Sequence, residues 1–83
     1  MNKLETLKLA LDGRKEEIFG YQINIDNFTR AIEKINAEYS DNPEIIEFRD
    51  KLIDMLDSHK TEQLKAIIIH DVIAEQINEM EAV

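Results

Sequence analysis

The sequence predicts an all-α protein that folds as an antiparallel hairpin of two long helices. Apolar residues recur at alternating spacings of three and four from Leu4 to Tyr39, which is the heptad pattern of a helix packed against a partner helix. The same spacing resumes from Ile45 to Met80, and the one proline of the chain lies between the two stretches. Residues 1–83 are therefore expected to form a single domain.

The first helix is predicted to span residues 3–39, with one seam of side chains facing the second helix. The seam residues are Leu4, Leu7, Leu11, Arg14, Ile18, Tyr21, Ile25, Phe28, Ile32, Ile35 and Tyr39. Gly13 and Gly20 each cost a helix about 1 kcal/mol relative to alanine. Both glycines fall on the outer face of the heptad, so neither leaves a gap in the seam.

A strand is the competing interpretation of the middle of this stretch. Asp12-Gly13 could form a hairpin turn, and the residues that follow alternate between apolar and other types. The alternating residues are Phe19, Tyr21, Ile23 and Ile25. The heptads on either side stay in phase through this segment, which favours the helix.

A short turn over residues 40–43 separates the two helices. Asn42 precedes proline and so avoids helical backbone angles, which suits an N-cap, and Pro43 at the first helical position loses no hydrogen bond. Glu44 favours the positive end of the new helix dipole. Because the connection is short, the second helix, predicted over residues 43–80, should pack antiparallel against the first.

The second helix has a longer and less regular apolar pattern. Its seam residues are Ile45, Arg49, Leu52, Leu56, His59, Gln63, Ala66, His70, Ile73, Ile77 and Met80, and the seam is widened by Ile46, Phe48, Ile53, Met55 and Leu64. The polar segment 57–62 interrupts the pattern, and Ser58 could cap a new helix there. A kink or break at 57–62 is therefore left open beside a continuous helix.

Beyond this segment the second helix is apolar on every face. A helix of that kind is covered on more than one side, which a single partner helix cannot do. We therefore expect the hairpin to form a homodimer, as a four-helix bundle, or to bind another protein. The residues expected in this second interface are Phe19, Ile23, Ile67, Ile68 and Val72.

Polar residues of the two seams are expected to face each other across the hairpin. With the turn centred near residue 42, Arg14 meets His70, which is followed by Asp71, and Tyr21 meets Gln63. Polar layers of this kind cost stability but can set the register of two helices. The pattern predicts an ion pair between Arg14 and Asp71.

Composition narrows the classes of function. The 83 residues contain no cysteine and two histidines, which excludes disulfides and argues against a structural zinc site. The net charge of −8 disfavours direct binding to nucleic acid, whereas a basic protein would be attracted. The N-terminal leucines are interrupted by charges at Lys3, Glu5 and Lys8, which argues against a signal peptide. The longest apolar run, Ala66–Ile69, is too short to cross a bilayer. We expect a cytoplasmic protein with no membrane partner.

No motif for catalysis or cofactor binding is present. The sequence has no glycine-rich phosphate loop, calcium-binding loop, nucleophile elbow or HExxH motif. His59 and His70 are separated by about 16 Å along a helix, so they cannot share a metal ion within one chain. We expect no enzyme activity, no cofactor and no metal site.

Four acidic residues follow one outer line of the second helix. They are Glu47, Asp50, Asp54 and Asp57. A solvated helix face accounts for such a line. The alternative is a surface that imitates a phosphate backbone and occupies a nucleic-acid-binding protein.

The segment Arg14–Phe28, RKEEIFGYQINIDNF, resembles small helical accessory proteins of tailed bacteriophages. The resemblance lies in a charged opening followed by Tyr21-Gln22, Ile23-Asn24-Ile25 and Asn27-Phe28, and it covers residues 14–28 only. It implies a non-enzymatic accessory protein in a bacterial cytoplasm that binds a host or phage protein. We therefore expect a small acidic adaptor or inhibitor, with an acidic nucleic-acid mimic and a coiled-coil assembly element as alternatives.

Overall fold

The chain forms two long helices joined by a tight turn, as the heptad pattern predicts. The computed structural model describes residues 1–82, in which α1 spans Lys3–Glu38 and α2 spans Pro43–Glu81. No strand occurs within residues 1–82, so the helical interpretation of residues 19–25 is confirmed. The two helices lie antiparallel, side by side, in a rod that measures 62 × 17 × 15 Å.

Local capping determines where each helix begins. The side chain of Asn2 accepts a hydrogen bond of 2.8 Å from a backbone N–H in the first turn of α1. The side chain of Asn42 accepts hydrogen bonds from the backbone N–H groups of Glu44 and Ile45, at 3.1 and 3.3 Å. Pro43 occupies the start of α2. These bonds satisfy N–H groups that have no partner within the helix.

Helix α2 runs without a break through residues 57–62. Thr61 Oγ1 donates a hydrogen bond of 3.2 Å to the carbonyl oxygen of Asp57. The ring nitrogen Nδ1 of His59 lies 2.9 Å from the carbonyl oxygen of Met55. These polar side chains bond to the backbone of their own helix, so the polar segment is accommodated and no new helix begins there.

The core is a single seam between the two helices. The buried residues are Ile25, Ile35, Leu52, Ala66, Ile73 and Ile77. All six occupy predicted heptad positions, as expected for two helices that meet along one line. The outer faces of both helices stay exposed, and neither helix within the described range has an apolar stretch long enough to cross a membrane.

Hydrogen bonds between the helices set their register. Gln63 Nε2 donates to the carbonyl oxygen of Ile18 at 3.3 Å and to Gln22 Oε1 at 2.8 Å. Arg49 Nη1 donates to Asn36 Oδ1 at 2.9 Å. Each pair lies nearly symmetrically about the turn at residue 42, which is the register that the sequence predicts.

The predicted ion pair between Arg14 and Asp71 is wrong. Arg14 Nη1 pairs with Glu17 Oε2 at 2.7 Å, one turn along the same helix. Asp71 Oδ1 pairs with Nδ1 of its neighbour His70 at 3.0 Å. Residues three apart on a helix are neighbours, so Arg14 reaches a carboxylate without crossing to the other helix.

Candidate protein interaction surfaces

An open groove runs between the helices on one side of the hairpin. Its volume is about 460 Å³, and it is lined by Lys15, Ile18, Phe19, Gln22, Gln63, Ile67, His70 and Asp71. We call this surface the groove. It brings together residues that the sequence assigned to a second interface and residues that it assigned to polar layers.

The groove has three levels along the rod. At one end Lys15 lies across from Asp71, which is hydrogen-bonded to its neighbour His70. In the middle Phe19, with 67% of its surface exposed, lies across from Ile67. At the other end the side chains of two glutamines, Gln22 and Gln63, are joined by a hydrogen bond of 2.8 Å. The groove therefore has an apolar centre between a charged end and an amide end.

A second apolar surface lies on the outer faces of α2. It consists of Leu64, Ile68, Ile69 and Val72, with exposures of 57%, 54%, 45% and 46%. We call these four residues the collar. A helix turns by about 100° per residue, so Ile68 and Ile69 point progressively away from Ile67 and out of the groove.

The five residues predicted to share one interface lie on three different surfaces. Phe19 and Ile67 line the groove. Ile68 and Val72 belong to the collar. Ile23, which is 45% exposed, lies on the outer face of α1 and does not line the groove. That all five share one interface with a partner stays a prediction.

Four of the five residues expected to widen the seam are exposed instead, namely Phe48, Ile53, Met55 and Leu64. Phe48 is 51% exposed and Met55 is 44% exposed. Phe48 and Met55 are seven residues apart, and Ile69 follows Met55 by fourteen, so these three residues share one heptad position. That position lies on the side of α2 away from the groove. This spacing is the signal in the sequence that separates them from the buried seam.

The four residues of the acidic line, Glu47, Asp50, Asp54 and Asp57, are all exposed. Asp50 pairs with Arg49 at 3.0 Å, and Glu47 lies 3.9 Å from the ammonium group of Lys51. Within residues 1–82, Asp54 and Asp57 take part in no ion pair. Neighbouring cations therefore neutralise only the half of the line that is nearer the turn.

The predicted polar layer of Tyr21 and Gln63 has a different arrangement. Tyr21 packs edge-on against the ring of His59, with centroids 5.7 Å apart, while Phe28 packs against the same ring at 5.1 Å. Gln63 bonds to Gln22. Two aromatic rings of α1 thus hold His59 within the seam.

The acidic and histidine side chains are dispersed along the rod. Within residues 1–82, no group of three or more is placed to hold a metal ion.

Near the turn, Lys34 pairs with Glu38 at 3.1 Å, and the hydrogen bond to this carboxylate raises the pKa of the Lys34 ammonium group. The apolar surfaces therefore contain the features best suited to binding.

Comparison with known proteins leaves these surfaces as the basis for any functional assignment. No protein-family model matches the chain, and no curated protein or solved structure is significantly similar to it.

Proposed function

We propose that the chain is a non-enzymatic protein–protein interaction module, a small acidic adaptor or inhibitor that binds a second protein through the collar. One observation supports the proposal. The four apolar side chains of the collar are each about half exposed, although α1 packs against another face of the same helix segment. Contiguous apolar surface of this kind is typical of interaction sites.

Covering the collar would stabilise a complex. A fully buried Leu, Ile or Val side chain gains about 1.5–3 kcal/mol over an exposed one. Because the collar side chains are about half exposed, a partner would add on the order of 1 kcal/mol at each. The regular helix holds these side chains in place before binding, so little conformational entropy is lost.

We further propose that two hairpins associate into a four-helix bundle. The support is the narrowness of the core, in which the six buried residues form one seam. Small domains with so little buried surface are only marginally stable alone. A second hairpin would cover each helix on a second side, as in four-helix bundles.

Charge suggests the chemistry of the external partner. Residues 41–83, which include α2, contain four basic and eleven acidic residues. A basic protein surface would be attracted to this half of the chain. The resemblance of residues 14–28 to phage accessory proteins points to a host or phage protein in a bacterial cytoplasm.

The acidic line supports a second candidate function. Asp54 and Asp57 are exposed and take part in no ion pair within residues 1–82, so they could occupy the phosphate-binding surface of a nucleic-acid-binding protein. Mimicry would then depend on charge, whereas binding through the collar would depend on apolar contact. Salt separates the two, because the screening length falls from about 10 Å at 0.1 M to about 3 Å at 1 M.

The proposal is tested by capture of a bacterial protein on three immobilised variants. Ile68→Gln with Val72→Gln replaces two of the four collar residues by polar ones, and Leu9→Gln is the matched control at a residue that is 57% exposed on α1. Asp54→Asn with Asp57→Asn neutralises the acidic line. We expect the collar variant to lose a protein that the wild-type chain and the other two variants retain at high salt.

The competing functions predict different results. Loss of binding in the aspartate variant and at high salt, but not in the collar variant, would support mimicry. Large assemblies of the chain alone, with no captured protein, would support a structural coiled-coil element and contradict the adaptor.

A further inference from the structure

We propose that the groove is the contact surface with a second copy of the chain, and that the two-fold axis of this dimer runs parallel to the helices. The inference rests on the self-association proposed above and adds its geometry. It assigns a dimer contact to Lys15, Phe19, Ile67 and Asp71, and it leaves most of the collar available for a different protein.

The order of the three levels along the rod supports a two-fold axis parallel to the helices. A two-fold axis parallel to the helices places α1 of one copy over α2 of the other without shifting either along the rod. Each level of the groove then meets the same level in the second copy. Phe19 packs on Ile67 of the second copy, and the same contact forms again on the other side of the axis.

Charge complementarity supports the same axis. Lys15 of one copy faces Asp71 of the second copy, and symmetry repeats this pairing. Within residues 1–82, Lys15 belongs to no ion pair, and the Asp71 side chain is 62% exposed. At the other end, Gln22 meets Gln63 of the second copy, so donors and acceptors face each other there too.

The other face-to-face dimer has its axis perpendicular to the helices and is less complementary. That axis reverses the rod, so the charged end of one groove meets the amide end of the other. Lys15 and Asp71 would then each face a glutamine and gain no ion pair. Both axes make every pair of neighbouring helices antiparallel, as four-helix bundles commonly do, so the preference for the parallel axis rests on the charged and amide ends of the groove.

The proposed contact divides the apolar surface between two partners. Phe19, the most exposed apolar residue of the groove, is covered by the second copy. Ile69 and Val72 lie about 160° and 140° around α2 from Ile67, so the dimer leaves them exposed. An external protein can therefore bind the dimer through the collar.

Charge reversal in separate chains tests the geometry. In Lys15→Glu, the two introduced glutamates face Asp71 across the contact, and in Asp71→Lys the two introduced lysines face Lys15. We expect each variant alone to dimerise at least about tenfold more weakly than the wild type, because like charges are juxtaposed twice. In an equimolar mixture, the introduced glutamate of one chain pairs with the introduced lysine of the other, and the unchanged Asp71 and Lys15 also pair. We therefore expect a heterodimer to form at near wild-type strength.

The mixture distinguishes contact between chains from contact within one chain. No chain in it carries both reversals, so repair within a single hairpin cannot restore association. Lys65→Glu, at a residue outside the groove, is the matched control for charge and should dimerise normally. Circular dichroism must show full helicity in every variant; a variant that loses helicity is replaced by Lys15→Gln or Asp71→Asn, each expected to weaken the dimer less.

Each outcome has a defined meaning. Two weakened variants that associate when mixed support the parallel axis. A wild-type dimer whose strength neither reversal changes, or two weakened variants that fail to associate when mixed, would overturn this geometry. Those results would not contradict the adaptor function, because binding through the collar is measured separately with Ile68→Gln and Val72→Gln.

Discussion

The ring of His59 in α2 packs edge-on against Phe28 of α1, with centroids 5.1 Å apart and the ring planes at 88°. Tyr21 packs edge-on against the same ring, with centroids 5.7 Å apart. A histidine at a seam position is thereby held by two aromatic rings, while its Nδ1 lies 2.9 Å from the carbonyl oxygen of Met55. This cluster fills the part of the seam where the sequence is most polar.

Replacing this ring should destabilise the hairpin. We expect His59→Ala to lower the free energy of unfolding by about 2 kcal/mol, because two aromatic contacts and the packing of a partly buried side chain are lost. Urea denaturation followed by circular dichroism measures the change. Ser58→Ala, at the adjacent exposed position, should change stability by less than about 0.5 kcal/mol. Equal effects of the two substitutions would contradict a structural role for the cluster.

The single-seam core predicts a sharp contrast between two leucines. Leu52 is 5% exposed and Leu9 is 57% exposed. Leu52→Ala should cost about 2–5 kcal/mol, because it leaves a cavity between the helices. Leu9→Ala should cost less than about 1 kcal/mol, since it removes apolar atoms that are mostly in contact with water. Thermal and urea unfolding of both variants would reveal the difference, and a large cost at Leu9 would place it in an interface.

Gly20 should tolerate a side chain and stabilise the protein when given one. A methyl group added there meets nothing within 4 Å, and the residue lies inside α1. We expect Gly20→Ala to raise the free energy of unfolding by about 0.5–1 kcal/mol through reduced freedom of the unfolded chain. Ala10→Gly, an exposed alanine in the same helix, should cost a similar amount. Destabilisation by Gly20→Ala would mean that another chain packs closely on this face.

The parts of the fold that the sequence predicts are those determined by short-range rules. The heptad period identifies the seam because only one stripe of each helix can face the other, and all six buried residues lie on that stripe. The N-cap at Asn42 follows from side-chain chemistry next to the first turn of α2. Both kinds of feature depend on residues only a few positions apart.

The contacts that the sequence does not predict involve a choice among several neighbours. Arg14 could reach Asp71 across the seam or Glu17 one turn away, and it pairs with Glu17. The proposed interface residues look alike in the sequence, but the helical rotation between Ile67 and Ile68 places them on different surfaces. Resolving such choices requires the actual positions of both helices.

The mass of the chain in solution tests most directly the central claim about the groove, which is that a second copy of the chain covers it. Light scattering behind a sizing column, over about a hundredfold dilution, distinguishes a dimer from a monomer of 9.7 kDa. We predict a species of twice that mass which dissociates only at the lowest concentrations. A mass of 9.7 kDa at every concentration would contradict self-association through the groove.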